Sequence, residues 1–495
     1  MEMEIKPVNS YKHQALQKHG GIFGNIIFDL ILIGFVVSLV MSPFWFDIND
    51  ILYQLSGLQN YISRNFIPSS LYDYWLIIPL GIIGIWRWTV WFIKKIVATF
   101  YYPIKPEASN GTSKAIDAPT VSVIIPVYNE DQKIFRRSLE SWWKNKPAEI
   151  IAIIDKSDTG CVAEFKEFQQ GKSNIKLIVT SKPGKRAALA DGISESKGQI
   201  LALTDSDTMW DSNFLENALR PLQVDPKIGG VTPRFHPIEI RTIWQKMTDI
   251  FWDMRNYLDM PAQTAGGKAL SCLSGKTALY RREILLPKMN LFLNEFILGR
   301  KKESGEDKCF TRLVQQEGWK TYYQSSAVIY SSASPEFDQF IRQRIRWARN
   351  SHNSDFQSLW NGWVWKCPYL AFSMIDRFIS VFTLLLGPIF LSIAIIENQW
   401  GLAISIIILW LVGRTIKIFP HLRRNPMDLF ILPVYVGISF LMALTRLYAL
   451  VTIRDQHIIR GFRKVNTSRI KKFKDYFLTV EMIAGIFIFA LAYLR

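Results

Sequence analysis

Two carboxylates one residue apart, Asp205 and Asp207 in Asp205-Ser206-Asp207, stand where the apolar run Ile200–Leu203 ends. Side chains i and i+2 of an extended chain point to the same side, so both can face one site. Held that close they repel unless a positive charge lies between them, most simply a divalent cation. A hard cation with a few carboxylate ligands and open positions also binds substrate phosphates. The same residues suit a helix-capping turn, and the stretch by itself leaves both readings open. Lys182-Pro183-Gly184-Lys185-Arg186 precedes a helix, where a glycine-containing basic loop either holds an anion such as diphosphate or is a solvated turn. It lacks the spacing of a P-loop ATPase. Gly305-Glu306-Asp307 opens another helix, and its acids either cap the first turn or supply a general base for a hydroxyl. Gln343-Arg344-Ile345-Arg346-Trp347 lies in a basic stretch that suits a membrane-surface helix. Alternatively Arg346 clamps a phosphate and Trp347 stacks on the apolar face of a sugar ring.

These residues need a scaffold. Val121–Pro126, Ile150–Ile154, Lys176–Val179 and Ile200–Leu203 read as strands, and Asp131–Lys144 and Lys185–Ser196 as helices between them. Such alternation predicts a parallel sheet with helices on both faces, whose ligands lie beyond the carboxyl ends of the strands. Tyr128-Asn129-Glu130, Asp155 and the Asp205/Asp207 pair all fall at those ends.

Apolar segments on either side of this domain point to a membrane. The 495 residues are 49% hydrophobic and 14% aromatic, with a mean hydropathy of +0.09. That is too apolar for an ordinary soluble enzyme and too polar for a chain made only of spans. Residues 1–21 do not resemble a secretory signal peptide. Phe23–Trp45, Tyr74–Ile93, Arg377–Ile396, Gly401–Phe419 and Tyr476–Tyr493 are read as five crossings. Lysines flank the first two, which places the N-terminus and residues 101–365 in the cytoplasm and the C-terminus outside. Residues 427–450 are long enough to cross, but crossing would put the basic residues after Arg454 outside. That stretch, interrupted by Pro433 and Gly437, is therefore predicted to be interfacial or re-entrant. The net charge of +17 lies largely beside the spans and is read as lipid-facing, with no nucleic-acid partner expected. Cys161, Cys272, Cys309 and Cys367 have no metal or disulfide spacing. Asp29, Arg87, Arg414, Arg446 and Glu481 lie in or beside the spans, where charges commonly pair, snorkel or line a conduit.

Asp155, Asp205-Ser206-Asp207, Gly305-Glu306-Asp307 and Gln343–Trp347, in this order, resemble the motif series of processive family-two glycosyltransferases. Similarity is strongest to hyaluronan synthases and chitin-oligosaccharide synthases. Cys272, Ser274-Gly275 and Tyr280-Arg281 are similar to their acceptor-side segment. Arg454–Gly461 resembles their gating loop without its Trp. Gly84–Arg87 and Gly184-Lys185-Arg186 are also similar to mannuronan (alginate) synthases. The resemblance implies a GT-A-like α/β cytoplasmic domain at 107–355, set between an N-terminal region (1–106) and a C-terminal membrane region (356–495). It implies Mg2+ or Mn2+ held by Asp207, and donor contacts from Tyr128, Glu130, Asp155, Lys185, Asp205, Gln343, Arg346 and Trp347. Cys272, Ser274 and Trp347 would meet the acceptor, while Asp307, Asp205 and Arg346 would be catalytic, with Asp307 as base. The activity implied is inverting, processive β-transfer from a nucleotide-diphosphate sugar, UDP before GDP, with extrusion of the polysaccharide through the plasma (inner) membrane. Alternatives are a mannuronan-type synthase with GDP-sugar and accessory secretion proteins, or a non-processive lipid glycosyltransferase.

Overall fold

Strand β2, Glu149–Asp155, explains the centre of the domain: its residues Ile150–Ile154 are wholly buried, as a strand covered by helices on both faces must be. The computed structural model describes residues 71–105, 119–297 and 299–454, with side chains described from residue 81. Contacts divide these into one unit of 71–88 with 383–441 and another of 89–382 with 442–454. The second unit holds the sheet.

Its strands are β1 (Val121–Val127), β2, β3 (Ile175–Thr180), β4 (Ile200–Thr204), β5 (Thr208–Trp210), β6 (Ile228–Pro237), β7 (Thr277–Arg281) and β10 (Lys320–Ser331). A separate hairpin pairs β8 (Phe296–Ile297) with β9 (Arg300–Lys301). The eight-stranded order is β3-β2-β1-β4-β7-β6-β10-β5. The first four strands run parallel, as predicted. Beyond β4 the sheet is mixed, within the parallel-rich GT-A-like arrangement expected: β7 lies antiparallel between β4 and β6, and β5 antiparallel at the edge beside β10. The sheet is mixed and mostly parallel, the GT-A-like arrangement.

The chain runs β1, β2, β3 outward and then returns to place β4 on the other side of β1. The carboxyl ends of β1, β2 and β4 therefore form one rim, at the point where strand order reverses. Helices α2 (Gln132–Lys144), α3 (Thr159–Gln169) and α4 (Lys185–Glu195) connect these strands. Asp131 caps α2 by accepting from the Ile134 N–H at 3.0 Å. On α4, a Cβ at Gly192 would meet Ile124 Cγ2 and Ile153 Cδ1 at 2.6 Å each. The missing side chain lets α4 lie directly on β1 and β2, which sets its first residue, Lys185, at the rim.

Helices α5 (Phe214–Val224), α6 (Ile243–Met254), α7 (Met260–Ala265), α8 (Arg282–Leu285), α9 (Met289–Leu293), α10 (Glu306–Gln316) and α11 (Phe337–Trp360) complete the domain. Tyr101 donates to the Tyr323 carbonyl at 2.8 Å, and Gln324 bonds both the N–H and the carbonyl of Ile104. This strap ties the end of α1 (Leu71–Thr99), the helix containing the expected span Tyr74–Ile93, to β10.

Among the described residues three helices are long and apolar enough to cross a membrane. They are α12 (Pro368–Ile396), α13 (Trp400–Lys417) and the stretch Pro426–Val451, whose main part is α15 (Leu432–Val451); α14 is the short Phe419–Arg424. The chain changes from a 3₁₀ helix (Pro426–Ile431) to α-helix just before Pro433, and α15 then runs unbroken through Gly437. Pro433 is the second residue of α15, where its missing N–H has no helical partner to lose. Arg87, Arg414 and Arg446 lie on α1, α13 and α15. Phe23–Trp45, Tyr476–Tyr493, Asp29, Glu481, most of the 107–119 linker and the Arg454–Gly461 motif beyond Arg454 lie outside the described residues. All four cysteines are free, three of them buried.

Candidate active site

The acidic stretch is a turn rather than extended chain. The Thr208 N–H donates to the Asp205 carbonyl at 3.2 Å, closing Asp205–Thr208, and the chain leaves as edge strand β5. Strand alternation is therefore not what sets the two carboxylates side by side, and no helix follows for them to cap. Asp205 N–H and the Thr204 hydroxyl both donate to the Lys276 carbonyl at 3.0 Å, which pins the turn to the start of β7. Ser206 donates to Glu130 Oε2 at 2.8 Å, joining the end of β1 to the turn. Burial, then the nearby Asp207, push the Glu130 carboxyl up to about 7.

Asp207 Oδ1 accepts from Ser331 at 3.4 Å and from the Thr208 hydroxyl at 3.5 Å, both long. Burial raises its pKa against the opposing charge of Lys276, so this carboxylate is under-compensated. A hard oxygen donor with uncompensated charge suits a divalent cation. Asp205 is compensated differently: Lys185 Nζ lies 2.5 Å from its Oδ1 and 2.5 Å from Glu306 Oε1. Burial disfavours the Lys185 charge, but the two carboxylates outweigh it and hold the ammonium firmly protonated.

The three basic residues of the 182–186 loop part company. Lys182 pairs with Asp191 at 2.9 Å, Lys185 turns to the rim, and Arg186 goes inward. Arg186 donates to the Phe292 carbonyl at 2.7 Å, the Ser304 carbonyl at 3.2 Å and Glu295 at 2.6 Å. Glu295 also accepts from Arg312 at 2.6 Å and Lys302 at 3.1 Å. This buried knot fixes the loop that delivers Gly305-Glu306-Asp307. Gly305 has φ +77, and a Cβ there would lie 3.0 Å from Asn350 Cγ.

Asp307 follows in the first turn of α10. Its Oδ1 accepts from the Lys308 N–H at 2.8 Å and its Oδ2 from the Cys272 thiol at 3.3 Å. Ser274, whose N–H donates to Thr232 at 3.1 Å, lines the same small pocket of about 20 Å3 together with Lys185, Thr204, Gly275, Glu306 and Asp307. The predicted base, donor-side lysine and acceptor-side residues Cys272 and Ser274 are thus brought together.

On α11, Arg346 contributes positive charge felt by Glu306, and Gln343 keeps a buried amide oxygen without a hydrogen-bond partner. Trp347 carries the Arg344 guanidinium over its ring at 5.0 Å. Arg344 also lies over Phe340 at 4.8 Å and Phe251 at 5.1 Å. Burial, then Arg255 and Arg446, lower its pKa to about 9. Two further predicted donor residues lie at the ends of β1 and β2. Tyr128 is exposed at the tip of β1. Asp155 closes its own turn, accepting from the N–H of Ser157 at 2.9 Å and from its hydroxyl at 2.5 Å, which lower its pKa.

Residues 118–350 match the family model described as glycosyltransferase-like family 2. The chain carries a family-two glycosyltransferase domain. A type 2 glycosyltransferase of Zymoseptoria tritici is 26% identical over 408 residues, 76% of this chain and 83% of that one. The hyaluronan synthase of Streptococcus pyogenes is 25% identical over 389 residues, 76% and 89% of the two chains. A mannosyltransferase of Pyrobaculum calidifontis, solved with GDP-mannose and Mn2+, shares the fold at TM-score 0.53 and 17% identity, covering 76% of this chain and 99% of its own. In this glycosyltransferase a second set of metal-ligand types, His236, Asp249 and Asp253, is buried with donor atoms within 4.8 Å of one another and could hold a metal ion. Sequence reasoning named neither that set nor Lys276. His236 and the two aspartates come from separate elements, and Lys276 matters only because β7 pairs antiparallel with β4.

Proposed function

We propose that this glycosyltransferase is a processive, inverting β-transferase that lengthens a polysaccharide from a nucleotide-diphosphate sugar and passes it across the plasma (inner) membrane from a cytoplasmic catalytic domain. The observation that carries the reading is the placement of Asp307. Its carboxylate shares one pocket with Lys185, Glu306 and Ser274, between the acidic turn and the helix bearing Gln343–Trp347. The hyaluronan synthase relative and the apolar helices support a membrane polymerase. The donor in this reading is a UDP-sugar before a GDP-sugar.

In this mechanism Asp307 takes the proton of the acceptor hydroxyl as its oxygen attacks the anomeric carbon opposite the diphosphate. The bond from that carbon to the diphosphate oxygen breaks, and its electron pair leaves with the diphosphate. One displacement inverts the centre and yields a β-linkage. Arg346 and Lys185 face the charge that grows on the leaving group, a contribution of several kcal/mol in comparable transfers. Asp207, with Asp205 beside it, would hold Mg2+ or Mn2+, which neutralises the same diphosphate when bound. Tyr128, Glu130, Asp155 and Gln343 would hold the nucleotide and sugar, and Cys272, Ser274 and Trp347 the acceptor. The pocket has room for a water or two rather than a sugar.

The test is the purified full-length protein in lipid with Mn2+ and a panel of UDP- and GDP-sugars. A ladder of long products is expected. Single-sugar lipid products would refute processivity, and silence with every donor would show dependence on accessory secretion proteins.

A further inference from the structure

Lys276 belongs to none of the recognised motifs, yet the structure sets its charge against the acidic turn. Its carbonyl holds Asp205 and Thr204, so the residue is fixed beneath the turn by its backbone. Its ammonium donates to the Ser331 hydroxyl at 2.6 Å, and that hydroxyl donates onward to Asp207 Oδ1 at 3.4 Å. The Trp252 ring, 4.7 Å from Nζ, closes another side. Among the described residues Lys276 makes no direct ion pair, so its charge acts on the turn through one hydroxyl. Two lysines thereby answer the two aspartates: Lys185 on Asp205 directly, and Lys276 on Asp207 across Ser331.

We propose that Lys276 is a resident cation of the donor site, which lowers the affinity of Asp207 for a free divalent ion and makes metal binding depend on the diphosphate. The inference rests on Asp207 being the metal ligand. A divalent ion on Asp207 meets a fixed positive charge one hydroxyl away, and like charges this close oppose each other strongly in a half-buried site. A diphosphate brings negative oxygens that the metal and Lys276 can share, which removes the opposition. Metal and nucleotide then favour each other's binding by the same factor. Lys276 acts here as a positioning residue, through Asp207.

The full-length protein in detergent is titrated with Mn2+ alone, read by the spin resonance of free Mn2+, and again with UDP or GDP present. Lys276→Met should bind Mn2+ alone on the order of tenfold more tightly, with the gain from nucleotide reduced by a similar factor. Lys276→Arg, which keeps the charge, should stay within about twofold of the parent on the same reasoning. Lys276→Gln gives the same readout if the Met variant is not monodisperse. Unchanged or weaker Mn2+ binding in the neutral variants overturns the proposal, since a purely structural lysine would weaken the site on removal. Asp207→Asn separates the two claims. If it keeps Mn2+, the ligand assignment fails and this inference with it. If it loses Mn2+ while Lys276→Met changes nothing, only the role of Lys276 fails.

Discussion

Asp307 and Asp205 are both carboxylates on one rim, and their neighbours prepare them for different work. Asp205 is tied up by an ammonium at 2.5 Å, whereas among the described residues the Asp307 carboxylate accepts only from a thiol and a backbone N–H. An anion with weak neutral donors remains available to take a proton. Asp307→Asn is therefore expected to lower transfer by about 10²–10⁴-fold, the usual worth of a general base. Nucleotide affinity, measured by calorimetry, should barely move, and a parallel loss of donor binding would reject the assignment. The candidate residues could be named from sequence through the resemblance of their ordered motifs, and the structure brings Lys185, Asp205, Cys272, Ser274 and Asp307 together. Lys276 was not legible, because a lysine beside a glycine reads as solvated until the pairing of β7 with β4 turns it under Asp205.

At the scale of elements, the loop before α10 is held by three cations on one carboxylate. Burial would raise the pKa of Glu295, but Lys302, Arg186 and Arg312 outweigh it and bring it down to about 2. A folded-state pKa below the unfolded value contributes stability that is present above the ordinary carboxylate range. It is lost as the pH falls from about 4.5 toward 2. Thermal unfolding followed across that window should show an extra loss of stability that Glu295→Gln lacks. At neutral pH the same substitution should cost about 3–5 kcal/mol, the penalty for leaving buried charges without a partner. Gly305→Ala tests the joint beside it. Its left-handed backbone should cost about 1–2 kcal/mol. The crowding of Asn350 should displace Glu306 and Asp307, so kcat falls more than KM rises. Parallel strands and their helices were readable from short apolar runs such as Ile150–Ile154. The antiparallel β5 and β7 were not, because their faces are defined by partners 119 and 77 residues away in sequence, namely Ile329 for Trp210 and Ala202 for Leu279.

For the whole molecule, Lys308, next to the proposed base, lies 3.6 Å from Asp355 on α11, which accepts from Arg377 on α12 at 2.6 Å. Lys94 on α1 reaches Asp376 at 3.2 Å. Helix α10, which carries the proposed base, is thus linked through two charges to a helix long and apolar enough to cross a membrane. The expectation that residues 427–450 do not cross rests on the basic residues that follow. The continuity of α15 removes the other ground for it. A reporter fused after residue 465 should read cytoplasmic, and an external reading would make the Pro426–Val451 helix a full crossing.

The free cysteines have a practical use. Burial and a nearby acid push Cys161 up to about 12. Cys309 is raised to about 12 by burial and Glu295, and Cys272 still higher by burial and Asp307. Maleimides react with thiolate, which these three sites withhold at neutral pH. Only Cys367 is half-buried rather than buried, and burial raises its thiol as well. Intact mass after N-ethylmaleimide at pH 7 should therefore show at most one slow adduct. The parent protein would then serve directly as the background for introducing single reporter cysteines along the proposed route of the product, with Cys367→Ser as its one needed change.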